Sequence, residues 1–209
     1  MGWLYMRSLA GYATPKAYLD AQFTYDRDTG SSRVLASSLV GRRTYYAAVE
    51  WVPAASGERE VWGLVCLVRY NPRDREGLVF GYKDMSESMG PCESECPARI
   101  LDLLTATQNT YALAWRERCR ACLSDRAARA AKPTPKPGDV VVLAEPLLFR
   151  DGRTFSRFEA VAWPGRRRGG LVYRSELGGL YRIPKLKDRV YLIEGRTGLS
   201  PGCAPSVPR

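Results

Sequence analysis

Residues 33–71 read RVLASSLVGRRTYYAAVEWVPAASGEREVWGLVCLVRYN: three runs rich in β-branched and aromatic residues, parted by two turn signals. Gly41-Arg42-Arg43 makes the first short turn, and the stretch from Pro53 to Gly57 makes the second. β-branched and aromatic side chains suit a pleated, half-buried surface, and runs of this length joined by short polar turns predict a three-stranded antiparallel meander.

Upstream of the meander, Trp3–Arg7 predicts a short strand. Thr14-Pro15 predicts a helix start, because a Thr hydroxyl can cap the first turn and Pro suits the first helical position. Asp26 to Gly30 breaks that run. Downstream, residues 72–97 are rich in Gly, Pro, Ser and acidic side chains and predict a long connection, a type of segment that often carries function. Pro97 opens a short helix, ARILDLL, and Thr107 or Asn109 starts a longer one to about Ala131. The apolar stripe of that helix is expected to be Tyr111, Trp115, Cys119, Cys122 and Leu123, with Arg116, Glu117, Arg120 and Arg126 on the polar face.

Three prolines between 132 and 139 stop the helix and stiffen the chain. Beyond them come five short β-runs: DVVVLAEPLLF, RTFSRFEAVAW, GGLVYRSE, GGLYRIP and DRVYLIE. Five strands with Gly-rich turns in so few residues predict a small barrel or tightly curled sheet. The expected class is therefore α+β: an antiparallel β-meander packed with helices, then a small all-β, barrel-like C-terminal domain. The expected organisation is an α+β domain over 1–131, a Pro-rich linker over 132–139, a basic β-domain over 140–195 and a flexible tail over 196–209.

Charge separates the two parts. The 209-residue chain carries 32 Lys and Arg against 22 Asp and Glu, and residues 132–209 hold 15 of the basic and 7 of the acidic side chains, a net of +8. A positive field of this kind attracts nucleic acid, anionic membrane surfaces or acidic proteins. Its centre is the set Arg166, Arg167, Arg168, Arg174, Arg182, Lys185, Lys187 and Arg189, interleaved with Trp163, Tyr173, Tyr181 and Tyr191. Arg can meet phosphates and rings can stack on bases; the opposed reading is a solvated hairpin whose aromatics fill the core.

The chain has no histidine. A Ser-His-Asp triad, a Cys-His dyad and a His-ligated metal are excluded, so any general base is a carboxylate, Lys, Tyr or Cys. Neither a Walker loop nor a G-x-G-x-x-G pattern is present. Lys83, Asp84 and Glu87, with Glu93 and Glu95 beyond, form a candidate functional loop able to hold Mg²⁺ or do acid/base work, or simply a solvated loop. Cys92 and Cys96, with Cys119 and Cys122, have two spacings that four thiolates of a zinc site could use; ordinary buried thiols are the simpler reading, and no cofactor is expected. With no apolar run for export or membrane crossing, the expected setting is the cytoplasm with reduced thiols and no membrane partner.

The stretches MGWLY (1–5), FGYKDMSESMGPCESECPARILDLL (80–104), YALAWRERCR (111–120), KPGDVV (136–141) and GLYRI (179–183) together resemble an uncharacterised family of hypothetical proteins encoded on bacterial plasmids, phages and integrative elements. The resemblance covers most of the chain and brings no catalytic residues to carry over. It implies an accessory gene of a mobile element. The expected function is accordingly binding without catalysis, with nucleic acid or a nucleoprotein as partner. The alternatives are an inhibitor of a host defence system, anti-CRISPR or anti-restriction, acting by direct protein contact, and a His-independent enzyme using Asp, Glu or Cys.

Overall fold

The computed structural model describes residues 2–70, 79–163 and 170–194. Contacts group the chain into two units, Met1–Arg126 and Ala127–Arg209. The protein is sheet-rich α+β: two antiparallel sheets with three α-helices.

The first unit is built around the middle of the meander. Strand β1 is Leu4–Met6, β2 Tyr25–Arg27, β3 Gly30–Val40, β4 Thr44–Pro53, β5 Glu60–Tyr70 and β6 Phe80–Ser86, in the order β1-β6-β5-β4-β3-β2. In β4, Tyr45, Ala47 and Val49 point to one face and Tyr46 and Ala48 to the other, and all five are buried. A strand covered on both faces is apolar without alternation, which is why TYYAAV reads as a continuous run. On one face helix α1, Pro15–Gln22, brings Tyr18 and Leu19 against Tyr45, Leu64, Cys66 and Phe80. On the other, α2, Ala98–Leu101, and α3, Thr110–Ala131, bring Ile100, Leu101, Trp115 and Cys119 against Tyr46, Ala48, Val61 and Val65. The helix starts obey their capping chemistry: Ala17 N donates to Thr14 Oγ1 at 3.1 Å, and Ala112 N donates to Asn109 Oδ1 at 3.0 Å.

Three local expectations change. Residues 80–86, expected within a connection, are a fourth meander strand paired with β5 from Leu64↔Ser86 to Tyr70↔Phe80. Its Gly, Lys, Asp and Ser content masks an inward alternation of Phe80, Tyr82 and Asp84. Within 26–30, expected to be a break, Asp26 and Arg27 join Tyr25 as strand β2, which pairs with Gly30–Ser32 as a short edge hairpin. The buried face of α3 is Ala112, Trp115, Arg116 and Cys119, while Tyr111 is 66% exposed. The stripe is therefore rotated from the expected one, and it includes an arginine.

The edge hairpin turns on Gly30, whose φ of +144° is one that L side chains rarely adopt; an added Cβ would clash with Val52 O and with the Trp51 ring, 2.9 Å away. Gly30→Ala is expected to lower stability by about 1–3 kcal/mol through strain and the clash with Val52. A urea-denaturation midpoint equal to that of the parent protein would contradict this placement.

The second unit carries β7, Val140–Leu148, β8, Thr154–Ala162, β9, Leu171–Ser175, β10, Leu180–Tyr181, and β11, Tyr191–Glu194, in the order β10-β9-β8-β7-β11. A 3-10 turn, Leu186–Asp188, precedes β11. Val141, Leu143, Phe158, Ala160, Tyr173, Ile183 and Leu186 form its core. Within the stretch read as a Pro-rich linker, Lys132 Nζ donates to the carbonyls of Lys187 and Arg189, and Pro133 O accepts from Tyr191 Oη, all inside this unit.

Candidate nucleic-acid interface

Strand alternation in the second unit turns Val141, Phe158 and Tyr173 inward and the residues between them outward. Register then places Glu194, Val140, Glu159, Arg174 and Leu180 in one row across the outer face, with Leu192, Val142 and Arg157 in the next. Arg157 Nη2 lies 2.7 Å from Glu194 Oε2, and Arg174 Nη1 lies 3.3 Å from Glu159 Oε2. All four side chains are about half exposed, so these pairs contribute on the order of 0–1 kcal/mol and serve to steer the guanidiniums. At the end of β8 the Arg182 guanidinium sits 4.2 Å from the centroid of the Trp163 ring, a cation–π contact. The intervening Arg166, Arg167 and Arg168 lie outside the described residues.

The remaining basic residues gather around the 3-10 turn. Lys185 holds a left-handed conformation, φ +53°, and is exposed. Leu186 is buried and pins the turn to the core. Lys187 and Arg189 are half-buried, and their carbonyls are taken by Lys132. Arg189 Nε is enclosed and has no hydrogen-bond partner among the described residues. Asp188 pairs with Arg129 at 3.2 Å. The described members of the candidate set thus form two groups: Arg174 and Arg182 on the outer face, and Lys185, Lys187 and Arg189 at the turn.

The tyrosines expected as possible stacking surfaces belong to the core. Tyr173 is buried, and Tyr181 and Tyr191 pack against the same cluster. Burial raises the Tyr173 and Tyr191 hydroxyls above the ordinary tyrosine range. Among the described residues, Trp163 is the one of the four aromatics with a cation over its ring, and that cation is Arg182. Tyr173, Tyr181 and Tyr191 therefore serve packing rather than an open stacking face.

The second candidate set is split by the fold. Lys83 and Asp84 are half-buried on β6, and Glu87 opens a 3-10 turn, Glu87–Met89, where it is 3% exposed. Its carboxylate accepts Arg116 Nε at 2.7 Å, Arg116 Nη2 at 2.6 Å and Gly63 N at 3.0 Å. Arg116 Nη1 then donates to Thr105 O at 2.6 Å. This bidentate pair was invisible in the sequence, where the two residues stand 29 positions apart; each looked like part of a solvated surface. Glu95 sits outside it, 3.3 Å from Arg126.

The cysteines are also spread out. Cys96 and Cys119 are buried in one cluster, Cys122 is half-buried and Cys92 is exposed. Among the described residues no group of three or more His, Cys, Asp or Glu side chains is placed to hold a metal ion. Burial raises the Cys119 thiol to about 11 and pushes the Cys66 and Cys96 thiols up as well. These are protonated core thiols rather than poised nucleophiles.

Residues 106–186 match a domain of unknown function (DUF6927), a stretch that takes in α3 and the second unit as far as Leu186. This agrees with an uncharacterised family and leaves the mobile-element origin as an expectation. No curated protein and no solved structure matches the chain.

Proposed function

We propose that this protein is a non-catalytic binder that contacts nucleic acid or a ribonucleoprotein through the second unit, as an accessory factor of a bacterial mobile element acting in the cytoplasm. The observation carrying this reading is the concentration of charge: a net of +8 on residues 132–209. Arg182 and Lys185 are exposed donors within that part, and Arg166–Arg168 in the β8–β9 connection add three more cations. The return of β11 to the side of β7, the first strand, supports reading this unit as a small barrel. No described helix is long and apolar enough to cross a membrane.

The test is fluorescence-anisotropy titration with labelled single- and double-stranded DNA and RNA over a range of salt. Log affinity is expected to fall linearly with log salt. Charge reversal at Arg182 or Lys185 is expected to weaken binding to all sequences alike and to reduce the slope for double-stranded DNA by roughly 0.9 per lost phosphate contact. Affinity that is weak and flat with salt would overturn the reading. The second reading, a protein that blocks a host defence complex by direct contact, is favoured by one observation in the first unit: a strand edge with no described neighbour over most of its length.

A further inference from the structure

Strand β3 runs for eleven residues, but its outer neighbour β2 pairs only with Gly30, Ser31 and Ser32. On that side no described strand pairs with residues 33–40. The register of β3 on β4 breaks between Val34 and Ala36, a bulge of the kind that re-aims an edge.

Two hydrogen bonds fix which backbone groups face out. Val34 N donates to Thr24 Oγ1 at 3.4 Å, and Ser37 O accepts from Arg99 Nη2 at 2.6 Å. Both partners lie off the sheet, away from β4. Residues two apart in a strand present their backbone groups to the same side, so Ser37 and Leu39 turn their N–H and C=O outward together.

A groove of about 640 Å³ lies along this edge, walled by Lys16, Ala17 and Asp20 of α1 on one side and by residues 34–37 of β3 on the other, with Arg99 at its end. The charges within it are unequal. Asp20 is satisfied by Lys16 Nζ at 2.7 Å, by Tyr45 Oη at 2.7 Å and by Ser37. Burial alone would raise its carboxyl, and these donors outweigh that and hold it below the usual range. Arg99 is exposed and makes no ion pair among the described residues. The groove therefore carries one positive charge without a carboxylate partner among the described residues, beside outward backbone groups of Ser37 and Leu39 that no described strand pairs; of these, the Ser37 carbonyl is held by Arg99 itself.

We propose that the β3 edge takes an extended acidic peptide from a partner protein as an added strand, with a peptide carboxylate on Arg99. Main-chain bonds to the edge would supply affinity, and pockets and charge beside it would supply selectivity. On docking, a peptide N–H replaces Arg99 at the Ser37 carbonyl, and the guanidinium turns to the carboxylate, which it can grip bidentately. A second copy of the chain fits less well. Edge-to-edge pairing about Ser37 would bring two Arg99 side chains together, and each copy's α1 already walls its own edge.

The experiment is panning of a phage-displayed random dodecapeptide library against the full chain, in parallel with Arg99→Glu and with Ser37→Pro. The proline removes an outward N–H, a change that edge positions tolerate, and circular dichroism melts check that both variants fold. Sequences enriched in Asp and Glu are expected on the parent protein and lost on both variants. An enriched peptide, synthesised and dye-labelled, is expected to bind Arg99→Glu roughly tenfold or more weakly and to slow amide exchange at Ser37 and Leu39. Its C-terminally amidated form separates a chain-terminal carboxylate from an acidic side chain. Absence of enrichment, or peptides that bind all three proteins equally, overturns the proposal. A parent dimer in sedimentation that Ser37→Pro disperses also overturns it, by assigning the edge to a second copy.

Discussion

Glu87→Ala is expected to lower the free energy of unfolding by about 3–5 kcal/mol, the range for stripping one partner from a buried ion pair. With the carboxylate gone, the Arg116 guanidinium stays in a site where the residue is only 7% exposed, held by the Thr105 carbonyl alone, and Gly63 loses the acceptor of its N–H. Arg116→Ala is expected to cost a similar amount, since it strands the carboxylate against a single N–H donor. The double change Glu87→Leu with Arg116→Leu removes both charges at once. It is expected to be markedly less harmful than the two single changes added together, because apolar replacement of a whole buried pair is often nearly neutral. It should still fall short of the parent protein, since the Gly63 N–H and Thr105 carbonyl remain unpaired at about 1–3 kcal/mol each. Urea unfolding of the four proteins, treated as a double-mutant cycle, measures the coupling. Additive single costs would show that the pair contributes nothing as a pair. If alanine at 87 prevents folding, Glu87→Gln keeps the shape and one acceptor and gives the same sign with a smaller loss.

The same pair marks where reading the sequence stops. What one element decides for itself was legible: the apolar run of β4, the Thr14 cap, Asn109 as one of two candidate starts for α3, the five short strands of the second unit. Each follows from local sterics and periodicity. What depends on a second element was not. Arg116 was assigned to a solvated face because a charged residue is rarely buried without a partner, and its partner comes from a 3-10 turn on the far side of β6. Strand β6 was hidden because its outward Lys83 and inward Asp84 interrupt the apolar signal that Phe80 and Tyr82 begin. The interleaved Tyr173, Tyr181 and Tyr191 admitted two readings, and packing against Phe158, Ile183 and Leu186 selects the core. The β3 edge lay further out of reach. A run of residues can announce a strand, but whether its outer side has a neighbour is a property of sheet order, which only the folded chain displays.

Trp115→Ala is expected to be comparably damaging, at about 3–5 kcal/mol for an aromatic deleted from a closed core. The indole is fully buried, and its Nε1 donates to Glu93 O at 2.8 Å, so one side chain joins α3 to the sheet and also ties down the segment leading to α2. Gly63 is the counterpart of that ring: an added Cβ there would lie 2.8 Å from Trp115 Cζ3 and 3.1 Å from Cη2. The glycine is required by the ring rather than by its own backbone, and this can be checked by exchange. Gly63→Ala alone should destabilise by roughly 1–3 kcal/mol through overpacking. Trp115→Phe alone should lose volume and leave the Glu93 carbonyl without its donor, again about 1–3 kcal/mol. The two together should cost less than their sum, because the methyl enters space that the smaller ring vacates. Thermal and urea unfolding of the three variants decide the point. A strictly additive result would mean that Gly63 answers to Glu87, whose Cδ lies 3.3 Å from the same added carbon, and that the carboxylate, not the indole, sets the limit on what β5 can carry there.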